Sequence, residues 1–128
     1  MNYVQRARII LARPRLRGRQ APPGPAPFVC GVTRSGTTLL RLMLDAHPEL
    51  AIPGETHWVP KLIRRIEQRR MSADEIADFI VGSKRWPDFH LDPDALRARL
   101  RELDHVNAAD AIRAFYRLYS EREGKTRY

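Results

Sequence analysis

The sequence has a single cysteine, Cys30, among its 128 residues. One cysteine excludes an internal disulfide and leaves no thiol cluster for structural zinc, and its place in an apolar segment predicts inert packing. No apolar run approaches the ~20 residues that span a bilayer. The longest early run, Ile9 to Ala12, is too short for the core of a signal peptide. We therefore expect a cytoplasmic protein with no membrane span.

Acidic residues are the scarcer charged class, with 15 Asp and Glu against 23 Lys and Arg and a formal net charge of +8. This excess favours anionic partners such as nucleotides, nucleic acid or acidic polymers. The basic residues are scattered from Arg6 to Arg127 and do not form one cluster, so nucleic acid is not the expected partner. The length allows one domain or part of one.

The first 27 residues predict a leader that precedes the folded domain. A basic stretch from Arg6 to Arg19 is followed by Ala21 to Pro27, whose prolines cannot sustain a helix or a central strand. We expect a solvated arm here, in preference to a basic helix that lies on a membrane or a partner. The domain is then expected over residues 28–128.

The domain begins with the pattern of a strand, a small-residue loop and a helix. Phe28–Val32 is a short apolar run rich in β-formers, which predicts a buried parallel strand. Thr33–Gly36 is the loop, and a helix follows from Thr37 until His47-Pro48 ends it. This order is the opening of a βαβ unit. The apolar stripe of the helix consists of Leu39, Leu40, Met43 and Leu44.

The rest of the sequence indicates one more short strand and then mainly helices. Leu50–Ile52 lies between two prolines and predicts the strand, with the loop Gly54–His57 at its end. The predicted fold class is α/β: a P-loop-like parallel sheet with flanking helices, apparently truncated, followed by a mostly helical segment. The helices are predicted over Val59 to Arg70, Ala73 to Val81, Asp94 to Leu103 and Ala108 to Glu123.

Several positions in the helical segment predict how it starts and packs. Ser72 with Glu75 has the pattern of a capping box, and Asp92-Pro93 supplies a cap followed by proline in the first turn. Large aromatic residues are more commonly packing anchors than ligand platforms. We expect the following side chains in the core: Trp58, Trp86, Ile112, Phe115, Tyr116 and Tyr119.

The segment Gly31 to Thr38 has the composition of a loop that cradles a phosphate. Its glycines permit close backbone approach, and Thr37 and Thr38 place hydroxyl donors on the first helical turn. The loop of nucleoside triphosphatases carries lysine where this chain has Thr37. The cation lies earlier, at Arg34, where an arginine can stabilise charge that develops on a bridging oxygen.

The segment Thr33-Arg34-Ser35-Gly36-Thr37-Thr38 resembles the 5′-phosphosulfate-binding loop of sulfotransferases, usually written P-[RK]-S-G-T-T. Only the leading proline differs, replaced by Thr33. The continuation Leu44 to Glu49, then Gly54-Glu55-Thr56 and Val59-Pro60, is similar to the stretch that follows this loop in tyrosylprotein sulfotransferases and their bacterial relatives. The resemblance is close over residues 27–60 and looser beyond them.

This resemblance implies a donor, an acceptor class and a set of roles. The donor would be 3′-phosphoadenosine 5′-phosphosulfate, and the acceptor a hydroxyl or an amine. Glu55 matches the base that takes the acceptor proton, and Arg34 would act on the leaving phosphate. His57 stands where the tyrosylprotein branch usually carries arginine. The donor loop would consist of Arg34, Ser35, Gly36, Thr37 and Thr38.

The same comparison predicts that the chain is the N-terminal part of such a domain, because the arginine and serine that grip the 3′-phosphate in relatives are absent. We expect little or no turnover from the chain alone. No metal is expected, since no acidic pair follows the loop at an interpretable spacing. Two alternatives stay open: a kinase or nucleoside triphosphatase with a degenerate loop, and a non-catalytic module that binds polyanions.

Overall fold

The computed structural model describes residues 26–128, and nearly all of its regular structure is helical. The predicted basic leader lies outside the described residues except for its last two. The helices, numbered in chain order, are α1 (Thr37–Asp45), α2 (Val59–Gln68), α3 (Ala73–Val81), α4 (Trp86–Phe89), α5 (Pro93–Arg101) and α6 (Ala108–Arg122).

The hydrophobic core lies among the helices that follow residue 58. α3 packs most extensively on α5, α5 packs on α6, and α2 contacts both α3 and α6. Each of these helices turns an apolar stripe inward, as its periodicity predicts. The side chains that are completely buried and largest are Phe89, Phe115, Leu62, Ile76, Ile80, Leu96 and Leu100.

Phe115 of α6 lies at the centre of an aromatic cluster. Its ring centroid is 5.0 Å from that of Trp58 and 5.0 Å from that of Phe89, both in edge-to-face geometry. Trp86 contacts the same ring at 6.4 Å. The prediction that both tryptophans are packing anchors is therefore confirmed, since their exposed fractions are only 3% and 7%.

The helix starts follow the predicted caps. Ser72 accepts a hydrogen bond from the Glu75 amide, and the Glu75 carboxylate accepts one from the Ser72 amide, which completes the capping box. The Asp92 carboxylate accepts a hydrogen bond from the Asp94 amide, and Pro93 lies between them as the first residue of α5. The helix bounds agree with the predicted ones to within about two residues. The four-residue α4 was not predicted, because so short a helix has no detectable periodicity.

Replacing Ser72 with alanine is expected to destabilise the protein by about 0.5–2 kcal/mol, because two amides at the start of α3 lose their reciprocal partners. Urea denaturation followed by circular dichroism measures the change. Ser83→Ala is the matched control, because the Ser83 hydroxyl has no hydrogen-bond partner among residues 26–128. This variant should unfold close to the wild-type midpoint. Equal midpoints for the two variants would contradict the proposed importance of the cap.

The predicted parallel sheet is not formed among residues 26–128. The segment 28–32 has no regular structure, and Val32 is 80% exposed. A strand exists only through ladder hydrogen bonds to a neighbour, and no neighbouring strand accompanies this segment in the described part of the chain. Cys30 is exposed as well, so the prediction that it is buried packing is wrong.

The apolar stripe of α1 is also uncovered. The sequence predicted a buried face there, yet none of the residues of α1 is buried. The helix forms as predicted, because its periodicity is a local property, whereas burial requires a surface to pack against. The large exposed side chains of this helix are Leu39, Leu40, Leu42, Met43 and Leu44.

The predicted second strand is represented by one parallel bridge between Leu50 and Arg127. The Ala51 amide donates to the Arg127 carbonyl at 2.8 Å, and the Arg127 amide donates to the Glu49 carbonyl at 2.8 Å. This pairing has the direction expected of a parallel sheet. It brings the segment 125–127 beside the end of α1.

Candidate functional site

The loop between residue 32 and α1 is a tight turn with two left-handed residues. The Ser35 amide donates to the Val32 carbonyl at 3.2 Å. Arg34 has φ 62° and Gly36 has φ 80°. Glycine adopts this conformation readily, whereas an arginine does so at a cost in backbone strain. A strained, exposed cation in such a turn is typical of a functional loop.

The amides at the start of α1 have no side-chain cap. Gly36 is the residue before the helix and makes no capping hydrogen bond. α3, α5 and α6 begin at Ser72, Asp92 and Asn107, whose side chains each accept from a first-turn amide. α2 and α4 also lack a side-chain cap, but both carry proline in the first turn. Free amides and the positive end of the helix dipole attract an anion. The beginning of α1 therefore has the chemistry of a phosphate or sulfate site.

Gly31 allows the loop to fold against itself. A Cβ atom at this position would meet Ser35 Oγ and would lie 2.6 Å from Thr37 Cγ2. A larger residue would make both hydroxyl-bearing side chains rotate away. Gly31 therefore allows the Ser35 and Thr37 side chains to approach the backbone closely, as the sequence predicted for this loop.

The loop forms one wall of a cleft of about 420 Å³, and the segment 55–57 forms the other. Every predicted site residue of the loop lines it, and Glu55 and His57 line the opposite wall. Residues that are 20 positions apart in sequence thus share one cavity, although their roles stay predictions. The lining consists of Gly31, Val32, Thr33, Arg34, Ser35, Gly36, Thr37, Thr38, Glu55 and His57.

Glu55 and His57 are paired. Glu55 Oε2 lies 2.8 Å from His57 Nε2, and both side chains are exposed to the cleft and to solvent. The pairing fixes the direction of the carboxylate and leaves its other oxygen open. An exposed carboxylate that faces a cleft can accept a proton from a group in that cleft.

The end of α1 is held to the segment that leads into Glu55 by contacts that join distant parts of the chain. Asp45, the last residue of α1, accepts hydrogen bonds from the Ile52 amide at 2.8 Å and from Lys125 Nζ at 3.1 Å. Arg41 donates to the Ile52 carbonyl at 3.0 Å. Together with the bridge between Leu50 and Arg127, these contacts lock α1 to the segment that leads into Glu55.

Tyr116 of α6 reaches the segment that carries Glu55. Its hydroxyl lies 3.0 Å from Thr56 Oγ1. Burial raises the pKa of Tyr116, the hydrogen bond with Thr56 opposes this rise, and the neighbouring Cys30 adds to it. Sequence inspection placed Tyr116 in the core but gave no sign of this contact, because the partners are 60 residues apart.

The raised pKa of Tyr116 predicts a loss of stability in alkali. A group whose pKa is higher in the folded than in the unfolded protein stabilises the fold fully below the unfolded value, which is about 10 for tyrosine. That contribution is lost as the pH rises through the folded pKa. Burial also raises the pKa of Tyr119, which adds to this loss. Urea midpoints measured from pH about 8 to about 11 should fall, and fall less steeply in Tyr116→Phe.

The described residues give two further findings. Residues 26–128 contain no group of three or more histidine, cysteine, aspartate or glutamate side chains arranged to hold a metal ion. Among the same residues, no helix has the length and apolar character to cross a membrane.

Comparisons with known proteins agree on one family. Residues 25–127 match the profile of a family described as the Sulfotransferase family. Protein-tyrosine sulfotransferase 1 of Danio rerio is 51% identical over 67 residues, which make up 46% of this chain and 19% of that protein. Protein-tyrosine sulfotransferase A of Caenorhabditis elegans is 48% identical over 48 residues, 38% of this chain and 13% of that protein.

The human protein-tyrosine sulfotransferase 1 is 51% identical over 39 residues, 30% of this chain and 10% of that protein. The aligned segments therefore span less than a fifth of the length of each of these relatives. No solved structure gives a significant match.

Proposed function

Because the chain belongs to the sulfotransferase family, we propose that its cleft binds 3′-phosphoadenosine 5′-phosphosulfate and serves sulfuryl transfer to a hydroxyl or amine acceptor. The observation that carries the proposal is the shared cleft: the uncapped start of α1 and Arg34 face the same cavity as Glu55. One wall offers cations and amides to an anion, and the other offers a carboxylate to a proton.

The loop fits the 5′-phosphosulfate end of such a donor. The open amides of α1 and the Ser35, Thr37 and Thr38 hydroxyls are hydrogen-bond donors around the cavity. Arg34 adds a fork of charged donors that suits phosphate geometry. The donor, when bound, supplies the sulfuryl group. The chain's own residues hold its anionic end and neutralise the charge that grows there as the sulfur–oxygen bond to the phosphate breaks.

Glu55 is assigned the role of the base. As the acceptor oxygen or nitrogen bonds to sulfur, its proton passes to the carboxylate, and the electron pair of the broken bond stays on the leaving phosphate. His57 holds Glu55 through the 2.8 Å contact. The proposed reaction needs only positioning, a base and cations, which the lining supplies.

The relatives are named protein-tyrosine sulfotransferases, which supports a phenolic hydroxyl as one acceptor to test. The chain spans less than a fifth of those proteins, so the turnover of an acceptor is itself part of the proposal. The family match likewise supports completion of the predicted α/β sheet around the segments 28–32 and 50–52.

The proposal is tested by titrating the ¹⁵N-labelled chain with adenosine 3′,5′-bisphosphate, the desulfated product, in the absence of metal. We expect the amide signals of residues 31–38 to shift first, because those amides would face the 5′-phosphate. ATP with magnesium is the comparison ligand. A preference for ATP with magnesium, or shifts that avoid the loop, would overturn the proposal in favour of triphosphate chemistry or general polyanion binding.

A further inference from the structure

The side chains of Glu55, Thr56 and His57 alternate between two environments. Glu55 and His57 are exposed and line the cleft, whereas Thr56 is partly buried and faces the helical core. Thr56 precedes the turn of His57 and Trp58 that leads into α2. The Glu55 and His57 side chains contact each other on the cleft side of the segment. Whatever holds Thr56 therefore determines where Glu55 and His57 point.

Thr56 is held by Tyr116. The two hydroxyl oxygens are 3.0 Å apart in a partly buried position. Elsewhere this segment is tied down by the Val59 amide, which donates to the Thr56 carbonyl at 3.0 Å. The bond from the Val59 amide fixes the turn into α2. The bond between the Thr56 and Tyr116 hydroxyls ties the Thr56 side chain to α6.

The ring of Tyr116 contacts Phe28, which precedes the loop wall of the cleft. Its centroid lies 6.1 Å from that of Phe28 in edge-to-face geometry, and Phe28 leads into the loop that begins at Gly31. The ring also stacks on Tyr128 at 5.7 Å with an interplanar angle of 12°. On its other side it packs edge-on against Phe115, at 5.3 Å. One side chain thus contacts the helical core and a neighbour in sequence of each cleft wall.

We propose that Tyr116 is a positioning residue that sets the two walls of the cleft relative to each other. Its hydroxyl orients the segment of Glu55 and His57 through Thr56, and its ring supports the donor loop through Phe28. Tyr116 is not among the lining residues, so it acts through them. The inference rests on the proposed function, because the importance of the orientation depends on the role assigned to Glu55.

Two substitutions of Tyr116 separate its contact with Thr56, made by the hydroxyl, from its contact with Phe28, made by the ring. Tyr116→Phe removes the hydroxyl and keeps the ring, and Tyr116→Leu removes both. Thr56→Val removes the same hydrogen bond from the other partner. In Tyr116→Phe we expect altered ¹⁵N and ¹H signals for the His57 ring and for the amides of residues 55–57, with the loop signals of residues 31–38 unchanged. Thr56→Val should reproduce that pattern, and the double variant should add nothing further.

In Tyr116→Leu the signals of residues 31–38 are expected to shift as well. Binding of adenosine 3′,5′-bisphosphate should weaken several-fold in this variant, whereas Tyr116→Phe should bind as the wild type does. Tyr119→Phe is the matched control on the same helix and should leave the signals of residues 55–57 in place. Unchanged His57 ring signals in both Tyr116→Phe and Thr56→Val would overturn the inference.

The two proposals fail in different ways. If the wild-type chain does not bind adenosine 3′,5′-bisphosphate, the proposed function is lost. The signals of His57 and of the loop in the nucleotide-free variants still decide whether Tyr116 orients the walls.

Discussion

Phe115→Ala is expected to destabilise the protein by about 3–5 kcal/mol, the range for removing a buried aromatic ring. The ring is completely buried and lies 5.0 Å from the rings of Trp58 and Phe89. Its loss leaves a cavity among rigid aromatic neighbours that cannot close in. A small domain is stable by only about 5–15 kcal/mol in total, so this one change removes a large share of the stability.

Urea denaturation monitored by tryptophan fluorescence measures this loss, since Trp58 and Trp86 both border the cavity. Leu39→Ala is the matched control, because Leu39 is 64% exposed on α1 and its truncation should change stability by no more than about 0.5 kcal/mol. Phe115→Leu fills part of the cavity and should fall between the two. A wild-type midpoint for Phe115→Ala would show that the core lies elsewhere.

Arg34→Ala is expected to weaken binding of the phosphosulfate donor, or of adenosine 3′,5′-bisphosphate, by roughly 10- to 100-fold. Hydrogen bonds to charged groups contribute about 1.5–3 kcal/mol each, which corresponds to factors of this size. The expectation follows from the place of Arg34 in the cleft wall, beside the uncapped start of α1. Isothermal titration calorimetry measures the affinity.

The backbone at Arg34 requires a second variant. Its φ of 62° is unfavourable for alanine, so Arg34→Ala could change the loop as well as the charge. Asparagine tolerates this conformation, and Arg34→Asn therefore removes the charge while it keeps the turn. Both variants should bind equally weakly. Arg64→Ala removes an exposed arginine of α2 that does not line the cleft, and it should bind as the wild type does. Equal losses at Arg34 and Arg64 would indicate a general effect of net charge.

The sequence predicted the helices well because their determinants are local. Apolar spacing and caps such as Ser72 with Glu75 lie within a few residues of one another, and the structure has each predicted helix within about two residues of its predicted bounds. The same is true of the loop, whose glycines and threonines lie next to the helix they precede. These features require no knowledge of the rest of the fold.

The strands and the support of the cleft could not be derived in this way. Whether Phe28–Val32 becomes a strand depends on a neighbour, and pairing is not a local property. The contact between Tyr116 and Thr56 spans 60 residues, and that between Lys125 and Asp45 spans 80. A tyrosine on an apolar stripe and a lysine after a glycine carry no local mark of such partners. The roles of Glu55 and of the loop, and the cytoplasmic location, stay predictions.

The link between Asp45 and Lys125 also has a consequence for how the protein folds. The most extensive helix contacts of the core, α3 with α5 and α5 with α6, join elements close in sequence, and short loops cost little entropy to close. The end of α1 and the segment 49–51 are instead tied to residues 125–127, and the link between Asp45 and Lys125 spans 80 residues, so the arrangement of the cleft must wait until α6 is in place. We therefore expect the core to form first and the cleft last, and the amides of residues 49–52 to exchange with solvent through openings that leave the core intact.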